Sequence, residues 1–177
     1  MIPTREECLK LMSRFGMLSN IVEHSLVVAR VALYLSEALN EKGQRIDIAL
    51  VQAASLLHDI AKTECLTTRQ DHAQTGSQVL MAIGYEKVGK VVGQHIQLLE
   101  EGGPSRVTEA EVVNYADKRV RHNRIVSLEE RFGDLKDRYG KNEKADTQLE
   151  KLKEATSQIE KKIFSILAAG PEVLQGL

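Results

Sequence analysis

The sequence contains no tryptophan, only three prolines and only two cysteines in 177 residues. Two thiols cannot build a disulfide framework, and they suit a reducing compartment. Aromatic residues make up 4% of the chain. No stretch approaches the roughly 20 consecutive apolar residues that a membrane helix requires. The opening segment, Met1-Ile2-Pro3-Thr4-Arg5-Glu6-Glu7, turns polar at once and lacks the apolar core of a secretion signal. A cytoplasmic location without membrane association is therefore expected. The net charge of −1 gives no surplus of basic residues, which argues against nucleic acid as a partner. Alternating runs of β-branched residues bounded by turn dipeptides are also missing, so no sheet is expected.

What is present is helical periodicity, and the fold class it implies is all-α, a bundle of about seven or eight helices. Thr4 followed by Glu7 makes a capping box, opening a helix to Phe15. Ser19 or Asn20 can cap a second helix that runs to the Asn40–Gly43 stretch and is apolar around most of its circumference. Asp47 caps a third, Ile48 to Leu57, again apolar nearly all round. Further helices are expected from Gln70 or His72 to Ile83 and from Tyr85 or Glu86 to Ile96. A loop is expected over 101–105, and Thr108 with Glu111 opens another helix through Val120. This core is taken as residues 1–126.

Residues 127–177 differ in character. Glu129 to Lys162 holds nine Asp/Glu and nine Lys/Arg, interleaved. Leu149, Leu152, Thr156, Ile159, Ile163 and Ile166 recur at spacings of three and four. The expectation is a long charged amphipathic helix laid on its own bundle, with a homodimer seam through that helix as the alternative.

The residues with chemistry are histidines and aspartates. His58-Asp59 follows ten almost unbroken apolar residues. A buried carboxylate beside an imidazole needs a cation or a hydrogen-bond partner, and a helix C-terminus favours positive charge. Taken alone, His58 could cap its helix, and His24 could be a hydrogen-bonded core histidine. His72, His95 and Asp117 each fall near the end or on the inner face of another predicted helix. Imidazole and carboxylate without thiolate suit Fe, Mn, Zn, Ni, Co or Mg.

The order His24…His58-Asp59…Asp117 resembles the H…HD…D signature of the HD-domain metal-dependent phosphohydrolases. Around it, His24-Ser25-Leu26-Val27-Val28-Ala29 and Leu56-Leu57-His58-Asp59-Ile60-Ala61-Lys62 are similar to the family's segments, with Ala61 at the usual Gly. His72-Ala73-Gln74-Thr75-Gly76 and Gln94-His95 resemble the two extra histidines of HDIG-type members that hold two metals. The resemblance spans roughly residues 19 to 125. It implies one divalent metal on His24, His58, Asp59 and Asp117, and a second on Asp59, His72 and His95 with Asp59 as the bridge. A water between the metals would act as hydroxide on a phosphorus atom. Asp59 and Lys62 are then the candidate catalytic residues. Lys62, Lys118 and Arg121 are the candidate phosphate-binding residues. For the basic cluster Lys118, Arg119, Arg121 and Arg124, pairing with the acidic residues from Glu129 is the alternative.

The substrate implied is a small phosphorylated molecule, with a nucleotide favoured. Nucleoside monophosphate phosphatases of the family place Glu three residues after the Asp, where this chain has Lys62. The layout is nearest to bacterial hydrolases of diadenosine tetraphosphate, but the residues after Asp117 depart from theirs. The alternatives are a single-metal nucleotidase, with His72 and His95 structural, and a non-catalytic helical adaptor.

Overall fold

In the computed structural model, which describes residues 1–99 and 102–177, the chain is a helical bundle with one minimal hairpin. The helices are α1 (Arg5–Arg14), α2 (Ser19–Glu41), α3 (Ile48–Leu57), α4 (Lys62–Thr68), α5 (His72–Ala82), α6 (Glu86–Val92) and α7 (Glu109–Lys118). A two-stranded ribbon, β1 (Val120–Arg121) with β2 (Arg124–Ile125), leads to α8 (Leu128–Tyr139), α9 (Glu143–Leu167) and a final 3-10 turn, Pro171–Gly176.

Local signals set most of the boundaries. Both capping boxes form, at Thr4–Glu7 and Thr108–Glu111, and the Asp47 side chain accepts from the Leu50 amide. α3 is the hub. It packs against α2, α7, α6 and α1, and its Val51, Ala53, Ala54, Leu56 and Leu57 are buried. An apolar helix is stable only where neighbours cover it, and these four cover α3 from Ala53 to Leu57, while Ile48 and Ala49 in its first turn stay exposed. α5 and α6 lie close together at Gly89, where a Cβ would fall 2.7 Å from the Ser77 carbonyl oxygen. Any side chain there would push the two helices apart.

Several boundaries differ from the sequence reading: α4 forms where no helix is expected, and α7 stops at Lys118, short of Val120. α2 has Leu18 at its N-cap with no side-chain cap; the Leu18 amide instead donates to the Thr63 hydroxyl at 3.2 Å, so a long-range contact sets the start. α6 stops at Val92, short of Ile96, because Gly93 weakens the helix and the His95 ring takes the Val92 carbonyl at 2.8 Å. A ribbon occurs where no strand is expected. Its strands are two residues each, too short to alternate, and the turn turns on His122 at φ 55°. The charged segment is two helices rather than one, because Asn142 restarts the chain by accepting from the Ala145 amide. The loop expected over 101–105 begins at Glu101, outside the described residues.

α9 lies on α7, α2 and α8, with Ile159, Ile163, Phe164 and Leu167 buried against the same chain. Thr156, which interrupts the apolar seam, is buried with its hydroxyl donated to the Leu152 carbonyl at 2.8 Å. No helix among the described residues is long and apolar enough to cross a membrane.

Arg119 fastens α9 to the core. Although 2% exposed, it donates to the Val126 carbonyl at 2.7 Å, the Tyr115 hydroxyl at 2.5 Å, Glu160 at 3.2 Å and the Pro171 carbonyl at 3.3 Å. Removing it strands those acceptors. Arg119→Ala is expected to destabilise the fold by about 3 kcal/mol. For a chain of this size that lowers the melting temperature by roughly 6–12 °C. A thermal melt checks it, and a variant melting with the wild type would contradict the role.

Candidate metal centre

Five helical segments send polar side chains to one point at the buried end of α3. His58 is the C-cap of α3, and Asp59 begins the turn into α4. His24 comes from the first half of α2, His72 opens α5, His95 follows α6, and Asp117 lies in the last turn of α7. His24, His58, Asp59, His95 and Asp117 are buried, and His72 is partly exposed.

The ring nitrogens decide what this cluster can bind. The Nδ1 atoms of His24, His58 and His95 each lie 2.8 Å from a backbone carbonyl, those of His122, Ser55 and Val92 respectively. A carbonyl only accepts, so each Nδ1 carries the proton and each Nε2 of a neutral ring is left with a lone pair. Those lone pairs face carboxylates. His24 Nε2 is 3.0 Å from Asp117 Oδ1, and His58 Nε2 is 3.4 Å from Asp59 and 3.6 Å from Asp117. His72 and His95 Nε2 lie 3.2 and 3.7 Å from Asp59 Oδ1, and 3.3 Å from each other. Among the described residues, neither His58 Nε2 nor Asp59 Oδ1 has a hydrogen-bond partner. Acceptors facing acceptors in a dry site are costly unless a proton or a metal cation lies between them.

Among the described residues, two groups of three ligands result, His24–His58–Asp59 and Asp59–His72–His95, each able to hold a metal ion, and Asp59 belongs to both. Asp117 lies against the first group through the contacts just given. The donor set of imidazole and carboxylate fits a divalent cation of borderline or hard character.

The electrostatics point the same way. Burial opposes ionisation of Asp59, but His58, His72 and Lys62 outweigh it and hold the carboxyl well below the usual range. At Asp117 burial is likewise outweighed, first by Lys118 and then by His24. Burial opposes a proton on His58, yet Asp59 and Asp117 raise its pKa. At His95 burial prevails, with His58 adding to it, and the pKa falls to about 3. Two anions thus sit among the imidazoles, each also held by a lysine ammonium, Lys62 on Asp59 and Lys118 on Asp117.

Lys62 Nζ lies 2.7 Å from Asp59 Oδ2. Lys118 is buried, donating to Asp117 Oδ2 at 2.7 Å and to the His95 carbonyl at 2.8 Å. Both line the cavity of about 370 Å³ above the cluster. Arg121 does not line it; its guanidinium pairs with Glu130 and Asp134 on α8. Arg119 is turned to Glu160, as described above. Sequence reasoning missed three contributors. His122 supplies the carbonyl that orients His24, while Arg131 and Arg138 of α8 line the cavity. Nothing in the sequence singled out these arginines from a run of mixed charge.

A family model described as the HD domain matches residues 21–121. An uncharacterized protein of Methanocaldococcus jannaschii is 29% identical over 136 residues, covering 70% of this chain and 79% of its own. A tRNA (cytidine(56)-2'-O)-methyltransferase of Thermoplasma volcanium is 31% identical over 96 residues, covering 54% of this chain and 26% of its own. No solved structure matches significantly.

A divalent cation at 100 times its dissociation constant is expected to stabilise the chain by about 2.7 kcal/mol. That raises the melting temperature by roughly 5–10 °C. Asp59→Asn should abolish the rise, because it removes the anion that both ligand groups share. An equal rise in the variant would place the bound cation elsewhere.

Proposed function

The chain belongs to the HD domain family, a superfamily of metal-dependent phosphohydrolase type, and on that premise we propose that it hydrolyses a phosphoester or phosphoanhydride of a small phosphorylated molecule, a nucleotide in the first instance. The observation that carries the proposal is the sharing of one buried carboxylate, Asp59, by two three-ligand groups, with His58 Nε2 and Asp59 Oδ1 lacking a hydrogen-bond partner among the described residues. Two cations held close together repel, and a bridging anion is what makes such a pair tolerable. That sharing supports an HDIG-type arrangement, with His72 and His95 on the second cation.

Bound at these ligands, a divalent cation supplies Lewis-acid polarisation of phosphoryl oxygen and lowers the pKa of water towards neutrality. The chain's own residues do the rest. The carbonyls of Ser55, Val92 and His122 lock three imidazoles with Nε2 turned inward. This removes the reorganisation that flexible ligands would need. Lys62 is 35% exposed at its side chain and anchored on Asp59, so its ammonium can reach both the cluster and a phosphate in the cavity. Lys118 is held more tightly, on Asp117 and the His95 carbonyl, and it positions the ligand elements rather than grasping substrate. The Thermoplasma methyltransferase aligns over 26% of its own length, and methyl transfer is not carried over to this chain.

Elemental analysis and a phosphate-release screen over nucleotides and dinucleoside polyphosphates test the proposal together. The expected metal content is near two per chain, falling to about one in the His72→Ala, His95→Ala double variant. A ratio near one that the double variant leaves unchanged would exclude the second cation. His58→Ala and Asp59→Ala should each reduce phosphate release at least 1000-fold. Equal release from wild type and both variants would assign the activity to a contaminant.

A further inference from the structure

The cavity over the ligand cluster has a far wall that the family match does not reach. The match ends at residue 121, whereas α8 begins at Leu128 and α9 at Glu143. From α8, Arg131 and Arg138 face the cavity. Among the described residues their carboxylate partner is Asp134, at 3.3 Å from Arg131 and 2.8 Å from Arg138, and Arg121 also draws on it at 3.3 Å. Arg121 has Glu130 as a second partner at 3.2 Å. Three guanidiniums therefore share two carboxylates, and a positive surplus is left on the cavity side. The buried Nε of Arg131 has no hydrogen-bond partner among the described residues.

Beside these arginines the wall becomes apolar. Tyr139, Leu149, Leu152 and Ile96 line the cavity, and the same four residues line an adjoining trough of about 730 Å³ between α9 and residues 96–98. The space over the ligand cluster thus continues into a larger, more apolar one, with the arginines on its border. A lone phosphate would need neither feature.

We propose that the α8–α9 wall is a second substrate subsite. Arg131 and Arg138 take an anionic group beyond the one held at the ligand cluster, and Tyr139, Leu149 and Leu152 hold the flat apolar body of the same molecule. The chemical class is an organic phosphate with an aromatic body and at least two anionic groups. A guanidinium fork suits phosphate oxygens, and a tyrosine at the mouth of an apolar trough offers a stacking face. The inference rests on the phosphohydrolase reading only for the identity of the group at the cluster.

Calorimetric titration of the full chain with ADP, AMP and ribose 5-phosphate, alongside metal analysis, tests it. In the wild type ADP is expected to bind about tenfold tighter than AMP, and AMP about tenfold tighter than ribose 5-phosphate. Arg131→Gln with Arg138→Gln should bring ADP down to the level of AMP, with metal content unchanged. Tyr139→Ala should bring AMP down towards ribose 5-phosphate while keeping the ADP-to-AMP ratio, which guards against general damage from the arginine changes. Equal affinity of wild type for ADP and AMP, no binding of any of the three, or unaltered ADP binding in the arginine variant would overturn the subsite. A chain that discriminates among the ligands as stated but takes up no metal and releases no phosphate would keep the subsite and sink the phosphohydrolase reading.

Discussion

The structure depends on one buried anion. Asp59 is 1% exposed and accepts from Lys62, with the Nε2 atoms of His58, His72 and His95 at 3.4, 3.2 and 3.7 Å, so the end of α3 carries a charge shielded from solvent. An isolated carboxylate in such a place would take up a proton, yet the basic groups around it hold its pKa well below the usual range. Every segment that approaches the end of α3 brings a counter-charge or a lone pair. The protein has arranged its core to keep that carboxylate ionised and to leave one of its oxygens without a hydrogen-bond partner.

That requirement explains features of the fold that packing alone does not. The second half of α3, Ala53 to Leu57, is largely apolar and wholly buried, which encloses its polar end. Gly89 allows α6 close to α5, and the two helices together deliver His95 and His72 to within 3.3 Å of each other. The hairpin after α7 turns at His122 with a left-handed backbone, which presents the His122 carbonyl to His24. Arg119 holds α9 over α7, and α9 in turn carries the residues that roof the cavity. Function and stability are thus coupled through the same helices.

The helical class, both capping boxes, Asp47 as a cap and the grouping of His24, His58, Asp59, His72, His95 and Asp117 were legible in the sequence, because each depends on local spacing or on residue types that are rare in apolar surroundings. The second wall was not legible. Arg131 and Arg138 look like their neighbours in an evenly mixed charged run, and only the fold turns them towards the cavity while Arg121 is drawn away by Glu130 and Asp134. His122 was equally hidden. Its contribution to the ligand cluster is a backbone carbonyl, which any residue could supply, in a ribbon too short to leave a pattern. The early stop of α6 escaped for a related reason, since the His95 ring takes a carbonyl that helix periodicity would assign to the backbone.

The central claim is that the imidazoles present lone pairs, not protons, to a cation shared through Asp59. Nitrogen-15 NMR of the histidine rings, recorded before and after addition of zinc as a diamagnetic probe, reads this directly. The account predicts that His24, His58 and His95 keep their proton on Nδ1 throughout and that their Nε2 resonances shift to metal-bound values on addition of zinc. Rings protonated on Nε2, or Nε2 resonances that zinc leaves in place, would contradict it.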